Sequence, residues 1–181
     1  MKSLARILAT AFFGVALSGS SVLAQAVTID SDPSVNFLKI KTYTWAKVHA
    51  TDPAVEQRIT LALNRTLKGR YMTEVAKDGD VSVTAVEASK DKQEYADFYN
   101  SLGDWSWQRP WGSGGLLDSP ATAADVPLRS LIIDMYDTKT HKLLWRGMVT
   151  APPAKNEDQT DQEMDKAVTQ LIGKYPPKNK K

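Results

Sequence analysis

Residues 129–151 read RSLIIDMYDTKTHKLLWRGMVTA, and this stretch decides the fold. Two runs rich in β-branched and aromatic residues, Arg129–Tyr136 and Lys142–Ala151, flank the polar segment Asp137–His141. Runs of this composition predict strands, and a polar connection of this length is ordinary for a hairpin. The sequence therefore predicts an antiparallel hairpin here, and the other elements are placed around it.

Three further strand patterns precede the hairpin. Val27–Asp30 and Phe37–Trp45 are rich in β-branched and aromatic residues, and Leu38 and Ile40 share one face of the second segment. Asp80–Glu87 alternates its side chains in the way expected of a strand with one face on the core. These patterns add three strands to the two of the hairpin.

Two segments have the spacing of amphipathic helices. Asp52 followed by Pro53 is typical of a helix N-cap with proline at the first helical position. A second helix is predicted from Thr160, which forms a capping-box pattern with Glu163. The apolar positions are Val55, Ile59, Ala62, Leu63 and Leu67 in the first helix, and Met164, Ala167, Val168, Leu171, Ile172 and Tyr175 in the second.

Between the strand patterns and the hairpin, residues 101–126 are rich in glycine and tryptophan and show no sustained period. We interpret them as a long irregular excursion, and loops of this length usually have a role or are mobile. The full order predicts an α+β domain over residues 25–176. It is a two-layer sandwich of a mostly antiparallel sheet with two amphipathic helices packed on one face. The basic tail, residues 177–181, is predicted to be disordered.

The first 24 residues have the three parts of a cleavable secretion signal. Lys2 and Arg6 carry positive charge with no acid nearby, an apolar run follows, and small residues end at Ala24. The apolar run is about a dozen residues, whereas a membrane-crossing helix needs about 20. We therefore predict a signal peptide over residues 1–24, with cleavage after Ala24 or alternatively after Ala26. The mature protein is expected in the periplasm, or secreted.

Composition excludes several functional classes. The chain has 181 residues, with 23 Lys and Arg against 21 Asp and Glu, and the predicted signal contains two of the bases and no acid. The remaining charges balance, so the basic excess does not indicate nucleic-acid binding. The chain has no cysteine, which excludes disulfides and thiolate metal sites. Ser20 stands where a lipoprotein signal carries its acylated cysteine, so neither a lipid anchor nor a transmembrane span is expected.

Four segments together resemble a known family. They are Lys41–Trp45 ahead of a helix, Leu131–Asp137, Leu143–Gly147, and Lys174–Pro176 at the end of the last helix. On these segments the chain resembles the bacterial family called domain of unknown function 4136, over nearly all of the mature chain. The resemblance implies an exported protein, often lipoprotein-like, although Ser20 departs from that pattern. It implies no established activity and no catalytic residues.

The residues able to carry catalysis are few. His49 and His141 are the only histidines and lie far apart in sequence, so the close spacing typical of zinc ligands is absent. His141 and Asp137 could form an acid–base pair, although polar residues are expected in a hairpin turn anyway. Asp134 is a surface charge if its face of the strand is solvated. A small envelope hydrolase using Asp134, Asp137 and His141 is therefore the alternative hypothesis.

The other strand residues of note have structural interpretations. Trp45 and Trp145 lie within strand patterns and are expected in the core, because a large aromatic side chain buries well on a sheet face. Arg146 should point to the face opposite Trp145, where it can pair with an acid. No glycine arrangement follows a strand and opens a helix, so a nucleotide site is not indicated.

The excursion contains the sharpest binding candidates, Trp105, Trp107 and Trp111, with Arg109 among them and Tyr99 nearby. Exposed aromatic rings with an interleaved cation can stack on sugars or bind an apolar side chain, and both residue types are enriched at binding hot spots. In the alternative, the excursion folds over an open sheet face and buries its own tryptophans, because three exposed tryptophans invite aggregation.

These observations favour a non-enzymatic binding or interaction module of the bacterial cell envelope. The expected partner is another envelope protein or a glycan. No cofactor, metal or nucleic acid is expected.

Overall fold

A computed structural model gives the fold and describes residues 26–50, 52–87, 97–103, 130–150 and 157–176. In chain order the main elements are β1 (Ala26–Ser31), β2 (Thr42–His49), α1 (Pro53–Lys68), β3 (Thr73–Glu74), β4 (Val81–Glu87), β5 (Ser130–Asp137), β6 (Leu143–Thr150) and α2 (Glu157–Ile172). A short 3-10 turn spans Phe37–Lys39, and residues 97–100 are helical.

The six strands form one sheet in the order β1-β6-β5-β4-β2-β3. The pairs β1/β6, β5/β6 and β4/β5 are antiparallel, whereas β2 is parallel to both β4 and β3. The α+β prediction is confirmed, but the sheet is mixed rather than mostly antiparallel. The difference arises because the connection from β2 to β4, its neighbour in the sheet, runs through α1 and β3, and a helical crossover between neighbouring strands makes them parallel.

Both helices pack on one face of the sheet, here called the inner face, as predicted. Asp52 caps α1 by accepting a hydrogen bond from the backbone N–H of Ala54 at 2.7 Å, and Pro53 occupies its first turn. An exposed ion pair between Arg65 and Asp165, at 2.8 Å, joins the two helices. The helix residues buried against the sheet are Ile59, Ala62, Leu63 and Leu67 of α1, and Met164, Ala167, Val168, Leu171 and Ile172 of α2.

The inner-face core contains Trp145, which is fully buried, as predicted. Its ring meets Tyr175 edge to face, with the centroids 5.8 Å apart. Gly147 is required beside it, because an added Cβ would lie 2.5 Å from Cη2 of Trp145 and 2.8 Å from Cδ2 of Leu171. Trp45, also predicted in the core, is half-buried at the sheet margin.

The start of β2 differs from the prediction. The strand expected to begin at Phe37 begins at Thr42, because Phe37–Lys39 form the 3-10 turn. The turn breaks the alternation that the sequence pattern assumed. Tyr43 therefore lies on the inner face and is buried, whereas Leu38 is 68% exposed.

The start of α2 also differs. The helix already includes Glu157, so Thr160 lies inside it, and the predicted capping box at Thr160 is wrong. Glu157 and Asp158 are acidic residues suited to a helix N-terminus, where the positive end of the helix dipole favours them.

Several predictions fall outside the described residues and stay predictions. They concern the signal peptide over residues 1–24 with its cleavage site at Ala24, the excursion beyond Gly103, and the tail over residues 177–181. Within the described residues, no helix combines the length and apolar character needed to cross a membrane.

Candidate functional site

The outer face of the sheet, opposite the helices, carries an unusual set of buried polar side chains. Asp134 and Arg146 lie on adjacent central strands and are 0% and 1% exposed. The other buried polar side chains on this face are Ser82, Thr84, Ser130 and Tyr136, and its apolar residues include Val86, Ile132 and Met148. Buried charges are rare unless they are paired, so this face requires a specific explanation.

The two charges are buried as a bidentate ion pair between Asp134 and Arg146. Nε of Arg146 donates to Oδ1 of Asp134 at 2.6 Å, and Nη2 donates to Oδ2, also at 2.6 Å. The two residues are directly opposed in the β5/β6 register. Such a fork matches the planar guanidinium to both carboxylate oxygens and is among the stronger hydrogen-bonded arrangements in proteins.

Two tyrosines complete this group, which we call the outer-face cluster: Tyr99, Asp134, Tyr136 and Arg146. The hydroxyls of Tyr99 and Tyr136 both donate to Oδ2 of Asp134, at 2.9 and 3.2 Å. The guanidinium carbon of Arg146 lies 5.3 Å from the centroid of the Tyr99 ring, a cation–π distance. Both oxygens of the Asp134 carboxylate thus accept hydrogen bonds, Oδ1 from one donor and Oδ2 from three.

The electrostatics of the cluster favour its charged form. Burial works to lower the pKa of Arg146, but attraction to the Asp134 carboxylate raises it, and the resulting pKa lies well above the ordinary arginine value. Nη1 of Arg146 is buried and has no hydrogen-bond partner among the residues that the structure describes. A buried ion pair of this kind is costly to break, because removal of one partner leaves an uncompensated charge.

The cluster also holds a short segment of chain against the outer face. Phe98 and Tyr99, in the helical segment at 97–100, are each 2% exposed. Nζ of Lys47 in β2 lies 5.1 Å from the centroid of the Phe98 ring and donates to Oγ of Ser101. The ring of His49 stacks on Phe98 at 6.3 Å. Residues 97–103 are therefore fixed to the sheet by both polar and aromatic contacts.

The three residues of the hydrolase hypothesis are not arranged as a catalytic group. Asp134 pairs with Thr84 and Asp137 with Val81 in the β4/β5 register, so the two carboxylates point to opposite faces of the sheet. Asp134 does not lie on a solvated face, and both of its oxygens accept hydrogen bonds. Asp134 would be a surface charge only if its face of the strand were solvated. The structure buries this side chain completely.

Asp137 and His141 instead build the hairpin turn. Oδ1 of Asp137 accepts hydrogen bonds from the backbone N–H groups of Lys139 and Thr140, at 3.1 and 2.7 Å. The pKa of Asp137 is lowered, because these bonds and that from the Thr140 hydroxyl outweigh the effect of its partial burial. His141 has a φ of 54° and donates its backbone N–H to the carbonyl of Asp137 at 2.9 Å. This is the structural role expected of polar residues in a turn.

The remaining predicted site residues lie outside the described residues: Trp105, Trp107, Arg109 and Trp111. Sequence reasoning missed the roles of Tyr99 and Tyr136 as partners of Asp134. The ion pair could have been predicted from the opposite charges of Asp134 and Arg146 on the two strands of the hairpin. Reading it requires the strand register, which is shifted by a bulge next to Tyr136.

Among residues 26–50, 52–87, 97–103, 130–150 and 157–176, no group of three or more histidine, aspartate or glutamate side chains could hold a metal ion. The outer-face cluster itself is a neutralised, hydrogen-bonded ion pair. Its effect is to fix the two central strands and the segment at 97–103 relative to one another.

Comparison with known proteins gives a family and a fold. The family model described as domain of unknown function (DUF4136) matches residues 27–177. The crystal structure of a DUF4136 family protein from Bacteroides thetaiotaomicron is similar, with a TM-score of 0.58 and 15% identity, covering 86% of this chain and 98% of that one. No curated protein matches the chain.

Two further solved structures are similar. A PDZ domain protein from Parabacteroides distasonis has a TM-score of 0.52 and 16% identity, covering 85% of this chain and 35% of that one. The PelC dodecamer from Paraburkholderia phytofirmans has a TM-score of 0.49 and 10% identity, covering 82% of this chain and 95% of that one. At 16% identity, the likeness to the PDZ domain protein concerns the fold alone.

Proposed function

The chain belongs to the family described as domain of unknown function 4136, and we propose that it is a non-enzymatic binding or interaction module of the bacterial cell envelope. Its partner is another envelope protein or a glycan. The binding surface consists of Trp105, Trp107, Arg109 and Trp111, whose aromatic rings and interleaved cation suit stacking on sugars or contact with an apolar side chain.

The proposal rests mainly on one observation: the candidate catalytic residues have structural roles. Asp134 accepts hydrogen bonds from Arg146 and two tyrosine hydroxyls inside the sheet. Asp137 caps the hairpin turn, and His141 closes it. A general acid or base must reach a substrate proton, and a buried side chain with both oxygens hydrogen-bonded is poorly suited to that task. The geometry therefore supports a binding function over the hydrolase alternative.

The attachment of the excursion supports the same function. Its first residues, Ser101 to Gly103, directly follow Phe98 and Tyr99, which are held on the outer face. Four residues after its end at residue 126, the chain enters β5 at Ser130, which is 0% exposed. Both flanks are thus tied to one rigid sheet. Loops mounted on a rigid scaffold in this way commonly carry binding residues.

The periplasmic location is part of the proposal and rests on the sequence. Residues 1–24 have the basic start, apolar run and small-residue end of a secretion signal. The family model begins at residue 27, just after the predicted cleavage site at Ala24, so the matched domain and the proposed signal do not overlap.

Acrylamide quenching of tryptophan fluorescence tests whether the binding surface is accessible. The chain has five tryptophans, and Trp145 is 0% exposed and should resist the quencher. We expect strong quenching of the wild-type protein and much weaker quenching of a variant in which Trp105, Trp107 and Trp111 are replaced by phenylalanine. The urea-unfolded variant serves as the control for full accessibility. Equal quenching of the two folded proteins would show that the three tryptophans are not an exposed surface.

A further inference from the structure

The two edges of the sheet are protected to different degrees. At one edge, β3 covers only the first two residues of β2, and beyond them β2 carries a bulge between Trp45 and Lys47 and the lysine itself. Bulges, lysines and very short edge strands are the usual devices against edge-to-edge association. At the other edge, β1 has the sequence AVTIDS and pairs with β6 through all six residues without a register shift. β1 has neither a bulge nor a lysine, and its one charged side chain is that of Asp30.

The hydrogen-bonding pattern identifies the backbone groups on the outer edge of β1. The N–H of Asp32, just past the strand, donates to the carbonyl of Leu144 at 2.9 Å. Alternate residues of an antiparallel strand bond to the same neighbour, so Asp30 and Thr28 also face β6. The N–H and C=O groups of Val27 and Ile29 therefore point away from the sheet, where no described strand pairs with them.

The backbone N–H of Ser31 is not available for pairing at the outer edge. It donates to Oδ1 of Asp30 at 3.0 Å. This local bond leaves Val27 and Ile29 as the residues of β1 with free edge donors among the described residues. Within the described part of this edge, an added strand would therefore pair with those two residues, and the centre of that pairing falls on Thr28.

We propose that β1 is the interface for a second copy of this chain, paired antiparallel with its own β1 about a two-fold axis at Thr28. In that register Val27 of one copy bonds to Ile29 of the other, and the reverse pair follows by symmetry. A contact of this kind is isologous, and two-fold dimers of identical chains are the commonest soluble oligomers. The proposal does not depend on the function of the excursion.

The side chains of β1 are complementary to themselves in this register. Val27 and Ile29 are partly buried against the inner-face core, and each would meet the other across the new ladder. Thr28 is exposed and lies opposite Met148 on the outer face. The two Thr28 side chains would form a non-hydrogen-bonded pair, the closest type, for which Thr–Thr contacts are favourable. Asp30 would face Ala26 rather than another acid.

The test is the molecular mass of the protein, purified after expression of the full chain, as a function of concentration. Analytical ultracentrifugation from about 5 to about 500 µM should detect a monomer–dimer equilibrium for the wild type. Thr28→Lys places like charges directly opposite each other and should weaken the dimer about fivefold. Thr28→Val keeps the strand propensity without the charge and should dimerise like the wild type. Because Thr28 is exposed in the monomer, both variants should unfold at the same temperature at low concentration.

A mixture of the Thr28→Lys and Thr28→Glu variants completes the test. Opposite charges then meet across the two-fold axis, and the mixed dimer should form where each variant by itself is weakened. A wild-type protein that stays monomeric over the whole range would overturn the proposal. A dimer unaffected by Thr28→Lys would overturn the interface, and failure of the mixture to restore the dimer would overturn the register.

Discussion

Replacing Asp134 by alanine is expected to lower the free energy of unfolding by about 3–5 kcal/mol. The substitution leaves the Arg146 guanidinium 1% exposed and without its counter-charge. It also removes the acceptor for the hydroxyls of Tyr99 and Tyr136. In the wild type, the ion pair offsets the energetic cost of burying the Arg146 charge. In the variant, that cost would destabilise the folded state. Urea denaturation followed by far-ultraviolet circular dichroism measures the change.

A matched double variant separates the ion pair from simple packing. Asp134→Leu combined with Arg146→Met removes both charges and keeps apolar volume on the outer face. Replacement of a buried ion pair by apolar residues is often neutral or stabilising, so the double variant should recover most of the stability lost by the single one. If Asp134→Ala costs under about 1 kcal/mol, the outer-face cluster is not the buried and coupled unit described above.

The second large effect is expected at Trp145. Trp145→Ala should destabilise the fold by about 3–5 kcal/mol, because it opens a cavity in a close-packed core. The ring contacts Tyr175, and it lies so close to Gly147 that no Cβ fits there. Thermal and urea unfolding measure the loss.

Trp145→Phe is the control for this prediction. It keeps an aromatic ring in the core and removes an indole N–H that no described residue accepts a hydrogen bond from, so it should cost clearly less than the alanine variant. Equal losses for the two variants would contradict the packing role of the indole. Trp45→Ala, at the half-buried sheet margin, should also cost less than Trp145→Ala.

The sequence predicted the helices and the hairpin because their signals are local. Asp52, Pro53 and the apolar spacing of α1 all act within the helix itself. The hairpin strands were identified by their composition and by the polar turn between them. The parallel alignment of β2 with β4 was not predicted, because it depends on which strands become neighbours, a property of the whole chain.

The outer-face cluster illustrates a second limit. Counting back symmetrically from a turn over Asp137–His141 would set Asp134 opposite Leu144. The bulge next to Tyr136 shifts the register, and Asp134 faces Arg146 instead. The observed register therefore differs by two residues from the symmetric one, and the bulge accounts for one of them. Tyr99 comes from a distant segment, and no local pattern links it to Asp134.

Crosslinking in cells tests the proposed binding function most directly. A benzophenone amino acid in place of Trp107 would react with whatever lies against the excursion. The same group in place of Tyr71, which is 87% exposed and far from the excursion in sequence, is the control for random collision. We predict a discrete adduct, with an envelope protein or a glycan, from position 107 and none from position 71. The absence of an adduct at position 107, or the same adducts from both positions, would contradict a binding surface at Trp105, Trp107, Arg109 and Trp111.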